Sequence, residues 1–194
     1  MANNFETLLA RIDALLREKE RVLLAIDGSC GAGKTTLAEK LREHYGCSVF
    51  HMDEFFLRSE QRTAERFAEV GGNIDYERFA AELLAPLKAG ETFSYRPFDC
   101  STFALKDAVQ VTPTRLAIIE GSYSQHPYFG APYDLTVFLS ISPALQRERI
   151  LARPAFLHER FFSEWIPMEE RYFEAFSLAE KADLTLCAED LAEE

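Results

Sequence analysis

The sequence predicts an α/β protein with a doubly wound parallel sheet and helices on both faces. Continuous apolar runs at 22–27, 116–119 and 135–141 are typical of strands that are covered on both sides. Segments with helical spacing of apolar residues alternate with these runs, which favours a parallel sheet. Because no repeat or linker is visible, residues 1–194 are expected to form one domain with a short lid at 153–166.

The first half of the chain is predicted to begin with an amphipathic helix. Apolar residues recur there at helical spacing, namely at Phe5, Leu8, Leu9, Ile12, Leu15 and Leu16. After the strand at 22–27, a helix over 34–44 leads to a second strand at 47–52. Asp75 can cap a helix that ends at Gly90, because Asp suits an N-cap and Gly a C-cap.

The second half is predicted to complete the sheet. Residues 92–98 and 108–112 are weaker strand candidates that suit a hairpin, and the strands at 116–119 and 135–141 follow. Pro143 suits the first position of a helix that Pro154 stops. Residues 156–166 are expected to form a mobile flap, and Pro167 to open the last helix. A final strand at 183–187 follows.

Composition excludes several classes of function. The chain has 47% hydrophobic and 27% charged residues, as soluble globular proteins do. Its 32 acidic and 21 basic residues give a net charge of −11, which disfavours nucleic acid and anionic membranes as partners. No stretch approaches the roughly 20 apolar residues of a membrane span, and no signal peptide is recognisable. The four scattered cysteines fit free thiols in a reducing cytoplasm.

A glycine-rich loop joins the first strand to the helix behind it. Residues 28–35, GSCGAGKT, match GxxxxGK[ST] at every fixed position. Its N–H groups and the helix dipole favour an anion, Lys34 can reach the β- and γ-phosphates, and Thr35 can bind Mg²⁺. We therefore predict a P-loop NTPase fold whose nucleotide-binding residues are Gly28, Ser29, Gly31, Ala32, Gly33, Lys34, Thr35 and Thr36.

Cys30 lies inside this loop and admits two interpretations. The simpler one is a small filler residue. The other is a redox-sensitive thiol whose pKa is lowered by the helix dipole and Lys34.

Five motifs occur along the chain in a characteristic order. They are GSCGAGKTT (28–36), HMDEFF (51–56), YRPFD (95–99), IIEGSY (118–123) and QRERILAR (146–153). Together they resemble the uridine kinase-like branch of the phosphoribulokinase/uridine kinase family, over most of residues 20–188. The resemblance implies phosphoryl transfer from ATP, with Mg²⁺, to a hydroxyl of a small molecule, in the first place a nucleoside.

Two acidic residues follow strands at the sheet edge where open α/β sheets bind ligands. Asp53 matches the family residue that accepts the proton of the substrate hydroxyl. The neighbouring Glu54 is its rival, or a second contact to magnesium-bound water. Glu120 ends the run at 116–119 and can reach the Mg²⁺ shell, usually through water. A helix cap or solvated acid is the alternative for Asp53, and a structural hydrogen bond for Glu120.

Two arginines share one face of the helix that begins at Pro143. Kinases of this architecture bring lid arginines onto the transferred phosphoryl group, where developing charge needs stabilisation. We expect Arg149 and Arg153 to do so together with Lys34. A solvated basic face paired with Glu148 or Glu159 is the alternative.

The acceptor end departs from the pattern of nucleoside-specific members, P-x-Y-D-F…H-x-R. Here Phe98 replaces the tyrosine, Phe103 falls near the histidine and Leu105 near the arginine. An aromatic wall is retained without the hydrogen-bonding partners that read a base. Asp99 is expected to hold a sugar-like hydroxyl or to form a turn.

A polar aromatic loop follows Glu120 and supplies two further acceptor candidates. Tyr123 and His126 would lie at the end of a strand, close to the acceptor. A turn before Pro127, capped by His126, is the alternative.

Taken together, these features predict a small-molecule kinase with ATP and Mg²⁺ as cofactors. Neither nucleic acid nor membrane is expected as a partner, and homo-oligomerisation is left open. The altered segment around Phe98 keeps a pantothenate-like or sugar-like alcohol as an alternative acceptor. An ATP-binding regulatory module without phosphoryl transfer is an alternative of another class, against which Asp53 and the lid arginines argue.

Overall fold

A computed structural model describes residues 4–191, so the first and last three residues of the predicted domain lie outside it. The strands are β1 Val22–Gly28, β2 Ser48–His51, β3 Phe93–Tyr95, β4 Phe98–Asp99, β5 Ala104–Leu105, β6 Val109–Val111, β7 Leu116–Glu120, β8 Leu135–Ser140 and β9 Leu184–Cys187. The helices are α1 Asn4–Glu18, α2 Lys34–Tyr45, α3 Ala64–Ala68, α4 76–89, α5 Pro143–Leu151, α6 158–176 and α7 Leu178–Lys181.

The central sheet has five parallel strands in the order β2-β7-β1-β8-β9. All seven residues of β1 are buried, as its continuous apolar run predicts. Leu24 and Ile26 belong to a core with Leu37 of α2, and Leu23 belongs to a second core with Phe79 of α4. Helices therefore cover both faces, and the predicted doubly wound α/β fold is confirmed.

The register of the sheet brings several strand ends to one edge. Ile26 of β1 is paired with Glu120 at the end of β7, and Glu120 is also paired with His51 at the end of β2. The loop that follows β1, the turn that follows β2 and the acid that ends β7 are therefore neighbours. This edge is where open α/β sheets bind their ligands.

Two small hairpins stand apart from the central sheet. β3 pairs with β6 and β4 pairs with β5, each antiparallel. The first pair lies where a hairpin was predicted, and the second lies within the irregular stretch between its strands. Among residues 4–191, no helix combines the length and the apolar character needed to cross a bilayer.

The last long helix differs from its prediction. It begins at His158, whereas Pro167 was expected to open it after a flap at 156–166. A π-helical turn over Phe161–Trp165 precedes Pro167, and another over Ala80–Leu84 precedes Pro86 in α4. Proline has no N–H and its ring clashes with the carbonyl four residues earlier, and a widened turn relieves both problems. Both prolines are thereby accommodated inside helices.

Candidate active site

The loop after β1 has the backbone geometry of a phosphate cradle. Gly28 has a φ of 136°, and a Cβ at this position would lie 2.1 Å from the carbonyl oxygen of Leu139. Glycine therefore permits the close approach of β1 and β8 at the point where the loop begins. Gly33 precedes α2 with a φ of 99°, and the unpaired N–H groups of the first helical turn follow it.

Lys34 is held across this loop by three hydrogen bonds. Its Nζ donates to the carbonyl oxygens of Gly28 at 2.6 Å and Ser29 at 3.0 Å, and to Ser122 Oγ at 3.2 Å. The ammonium group is therefore placed at the loop before any ligand binds. Residues 30–37 line a cavity, whereas Gly28 and Ser29 do not line it and contribute carbonyl groups to Lys34.

The cavity has a volume of about 1160 Å³ and extends from the loop to an aromatic wall. At the loop end it is lined by Thr35, Thr36, Lys40 and Glu120. Its far end is lined mainly by large rings, which are Phe56, Phe67, Phe98 and Phe103, and two further rings, Phe161 and Trp165, lie on the side of Arg153. One continuous space therefore offers a polar end that suits phosphates and an apolar end that suits an organic molecule.

Glu120 and Thr35 fit a magnesium site. The Thr35 hydroxyl donates to Glu120 Oε1 at 3.1 Å, so a hydroxyl and a carboxylate oxygen lie together beside the loop. Such hard oxygen donors, completed by phosphate oxygens and water, are what Mg²⁺ prefers. His51 Nδ1 lies 2.5 Å from the same carboxylate oxygen, and this hydrogen bond raises the pKa of His51.

Asp53 opens onto the cavity from the turn Met52–Phe55, directly behind β2. The surrounding protein displaces water from its carboxylate and raises its pKa, and the charge of Glu120 raises it further. Glu54 does not line the cavity, and its Oε2 instead accepts from the Tyr95 hydroxyl at 2.7 Å. Of the two rival carboxylates, Asp53 is the one that faces the ligand space.

Both predicted lid arginines line the cavity. Arg149 Nη1 donates to the carbonyl oxygen of Gly31 at 2.9 Å, which places its guanidinium against the loop. Arg153 lies over the ring of Phe161, 4.8 Å from its centroid. Arg149 of α5 and Arg153, which lies just beyond the end of this helix, therefore bring two positive charges to the donor end of the cavity, where phosphate charge is expected.

Glu169 of α6 reaches the same loop and was missed by the sequence reasoning. This carboxylate is 7% exposed, and its Oε2 accepts from the Cys30 N–H at 2.8 Å. Its Oε1 accepts from Ser122 Oγ at 2.5 Å. The Glu169 carboxylate thus accepts a hydrogen bond from a loop N–H group, as a phosphate oxygen would be expected to do. No local pattern reveals this contact, because it requires α6 to dock against a loop far away in the chain.

Cys30 does not have the character of a reactive thiol. Burial raises the pKa of its thiol to about 12, and the nearby charge of Glu169 contributes in the same direction. The lowered pKa on which a redox role depends is therefore absent, and the filler interpretation is the better one.

Two predicted acceptor contacts are not brought to the cavity. Asp99 Oδ1 accepts from the N–H of Ser101 at 2.8 Å and from its hydroxyl at 2.6 Å, so it forms a turn. His126 is buried among rings, its Nδ1 accepts from the Tyr128 N–H at 3.2 Å, and burial lowers its pKa. The turn that was the alternative for each residue is what the structure has.

Phe98 and Tyr123 do line the cavity. Phe98 is buried at the start of the β4–β5 hairpin. Tyr123 is 3% exposed and has a φ of 76°, a left-handed conformation that costs energy for an aromatic residue. Such strain is often kept where a side chain must be aimed at a ligand.

Comparisons with solved structures find P-loop kinases of the same fold. A possible uridine kinase from Bacillus stearothermophilus has a TM-score of 0.65 and 25% identity, over 93% of this chain and 99% of its own. A candidate fructose transport system kinase from Silicibacter sp. TM1040 has a TM-score of 0.61 and 25% identity, over 94% and 96%. A circularly permuted P-loop kinase candidate from Saccharomyces cerevisiae shares the fold at a TM-score of 0.63 and 13% identity, over 94% and 97%.

No family model matches the sequence, and no curated protein sequence matches it. By its structure, the chain is similar to a possible uridine kinase and to related P-loop kinases, which is the resemblance that the order of its motifs predicted.

Proposed function

We propose that this protein transfers the γ-phosphoryl group of ATP to a hydroxyl group of a small molecule, with Mg²⁺ as cofactor. One observation carries the proposal: Lys34, Glu120 and Asp53 line a single cavity that joins the phosphate loop to an aromatic wall. Phosphoryl transfer requires a donor site, a charge-neutralising site and an oriented hydroxyl in one space. The structural likeness to a possible uridine kinase and a candidate sugar kinase supports the same class of reaction.

The donor end is suited to a triphosphate. The amides of residues 31–36 and the Lys34 ammonium group would hold the phosphates, and Thr35 and Glu120 would hold the metal ion. When bound, Mg²⁺ neutralises charge on the phosphate oxygens. Arg149 and Arg153 would contribute further positive charge where the transferred group becomes more negative.

Asp53 would orient the acceptor hydroxyl and take its proton. The raised pKa of Asp53 makes its carboxylate a stronger base toward the hydroxyl proton. The protein would form no covalent bond with the phosphoryl group, so its contribution is positioning and charge stabilisation.

The acceptor class is narrowed by the far wall of the cavity. A nucleoside is the acceptor that the resemblance to uridine kinases favours. However, Asp99 and His126 point away from the cavity, and rings provide most of the far wall. Since a base is recognised through hydrogen bonds, this wall favours the second candidate, a non-nucleoside alcohol. From composition we further propose a cytoplasmic enzyme without nucleic-acid or membrane partners.

The test is ADP release from Mg²⁺-ATP over a panel of acceptors that contains nucleosides, pantothenate and simple sugars. Asp53→Asn is expected to lower kcat by about 10²- to 10⁴-fold while nucleotide affinity is retained, because only the proton acceptor is lost. Glu54→Gln is the matched control and is expected to keep its activity, since this carboxylate binds Tyr95 outside the cavity.

The outcomes separate the alternatives. Turnover with a nucleoside would support the acceptor that the resemblance to uridine kinases favours. Turnover only with another alcohol would support the proposed mechanism and exclude a nucleoside as the acceptor. Nucleotide binding without turnover on any acceptor would contradict the kinase proposal and favour a regulatory module.

A further inference from the structure

Three arginines at four-residue spacing lie before α4 and differ in their partners. Arg58 is paired with Glu60 at 3.1 Å, and its Nε donates to Asp75 Oδ2 at 3.3 Å. Arg66 is paired with Glu77 at 2.8 Å. Within residues 4–191, by contrast, no carboxylate lies at ion-pair distance from Arg62.

Arg62 forms part of the wall of the cavity. Its guanidinium lies 5.0 Å from the ring centroid of Phe67 and 5.4 Å from that of Phe103, and both rings line the same space. Ring faces attract the positive charge, but they do not satisfy guanidinium N–H groups. The side chain is therefore held in place with its donors available.

Asn73 also lines this wall, and its Oδ1 is buried without a hydrogen-bond partner among the described residues. Because protein atoms cover this oxygen, it is not offered to a molecule in the cavity. The far end of the cavity thus offers a cation and apolar rings.

We propose that the acceptor substrate carries an anionic group, a carboxylate or a phosphate ester, that binds to Arg62. This inference rests on the proposed kinase function and specifies its acceptor, which would place a hydroxyl at Asp53 and a negative charge at Arg62. The guanidinium fork matches both anions in two parallel hydrogen bonds. Arg62 is the local positive charge that an anion needs on a protein with a net charge of −11.

Asp53, Arg62 and Cys100 all line the cavity. Burial and the charge of Asp53 raise the pKa of the Cys100 thiol, whereas the charge of Arg62 lowers it, so both charges act on the same thiol. A molecule that spans from one to the other would lie along the rings of Phe98 and Phe103. A neutral analogue would leave the guanidinium unpaired once the cavity is filled, so discrimination by charge is expected.

The experiment uses acceptors that differ in charge at one end. Glycerol is compared with glycerate and with glycerol 3-phosphate, pantothenyl alcohol with pantothenate, and uridine with orotidine. ADP release gives KM and kcat, and the thermal shift of the protein with ADP and each compound gives binding without turnover. The enzyme variants are Arg62→Gln and Arg62→Lys, and Arg17→Gln, at an exposed position of α1, is the charge-matched control.

We expect at least one anionic acceptor to have a KM about tenfold or more below that of its neutral partner. Arg62→Gln should abolish that difference by raising the KM of the anionic acceptor, and Arg17→Gln should leave it intact. Arg62→Lys should restore more of the affinity for a phosphate ester than for a carboxylate, because lysine binds as a point charge. This variant therefore separates the two anions.

Equal KM values within every pair, or an anion preference that survives Arg62→Gln, would overturn the inference. Turnover of neutral acceptors only would also overturn it while leaving the kinase function standing. If no acceptor is phosphorylated, the kinase proposal fails. In that case, the anion site would still be supported if an anionic compound, but not its neutral partner, gives a thermal shift that Arg62→Gln abolishes. The anion site would be contradicted if no anionic compound gives such a shift.

Discussion

Asp27 joins the phosphate loop to the rest of the molecule through a buried carboxylate. Its Oδ1 accepts from the N–H groups of Gly28 at 2.7 Å and Tyr123 at 3.2 Å. Its Oδ2 accepts from the Gln125 N–H at 3.0 Å and the Tyr172 hydroxyl at 2.9 Å. Burial raises the pKa of Asp27 to about 6, although these hydrogen bonds oppose the rise. The loop is thus tied to α6 and to the loop after β7.

This carboxylate predicts a pH dependence of stability. Between its ordinary pKa of 3.8 and the folded value of about 6, the folded protein binds the proton better than the unfolded chain does. Its contribution to the free energy of unfolding therefore falls by about 3 kcal/mol as the pH rises through this range, and is constant above it. Urea unfolding of the wild type and Asp27→Asn across this range measures the difference, and parallel curves would contradict it.

At Gly28, the cost of a steric clash can be separated from the cost of a positive φ in a residue that has a Cβ. In Gly28→Ala the new Cβ would collide with the Leu139 backbone, and we expect a loss of about 3 kcal/mol or more. Gly46 ends α2 with a φ of 62°, and a Cβ added there would meet nothing within 4 Å, so Gly46→Ala should cost only about 1 kcal/mol. Equal losses in urea unfolding would show that strand packing at Gly28 is not the cause.

The positions of some site residues could be predicted from the sequence, and those of others could not. Lys34 and Thr35 were predictable because the loop chemistry depends on neighbours along the chain. Asp53 and Glu120 were predictable because parallel strands end at one edge. Glu169 contacts Cys30 across 139 positions, so its role depends on tertiary packing that no local pattern encodes.

At the scale of elements, prolines explain where prediction failed. A proline was interpreted as the start of the last helix because it is common at that position. In α6 and α4 a π-helical turn precedes it and moves the clashing carbonyl away, so both helices continue. Caps were more informative, since Asp75 and Gly90 bound α4 as predicted. Caps act on adjacent backbone groups, whereas a π turn depends on how the whole helix packs.

The cap of α4 predicts a loss of stability. Asp75 is 1% exposed, its Oδ1 accepts from the Arg78 N–H at 3.1 Å, and its Oδ2 is paired with Arg58 at 3.3 Å. The same Oδ2 is also paired with the buried Arg78 at 3.6 Å. We expect Asp75→Ala to lower the free energy of unfolding by about 3 kcal/mol, because a cap and the partner of this buried arginine are lost together. Asp75→Ser should lose less, since serine still caps. Equal losses would show that capping contributes nothing.

At the scale of the whole molecule, Glu169 couples the lid helix α6 to the donor site. Its carboxylate accepts from a loop amide, and the terminal phosphate of ATP brings negative charge to the same loop. We expect Glu169→Gln to tighten ATP binding by about tenfold and ADP binding by less, because a like-charge repulsion is removed. The exposed neighbour supplies the control Glu170→Gln. Calorimetry with both nucleotides measures the effect, and unchanged affinities would contradict it.

The overall architecture was predictable because the strands of a parallel sheet are apolar on both faces and stand out in the sequence. The strong runs at 22–27, 116–119 and 135–141 all became central strands. β4 and β5 have two residues each and carry no such pattern. The acceptor wall that they help to form was therefore the least predictable part of the site.

The separation of the β4–β5 hairpin from the central sheet has an evolutionary consequence. The phosphate loop and Asp53 follow strands of one sheet and Glu120 ends another of its strands, so the residues proposed for phosphoryl transfer are fixed by its register. Phe98 and Phe103 belong to a hairpin that pairs with no strand of that sheet. Mutation can therefore remodel the recognition wall, or a graft can replace it, while the catalytic parts are inherited intact. A new acceptor specificity can therefore evolve while the residues proposed for phosphoryl transfer stay the same.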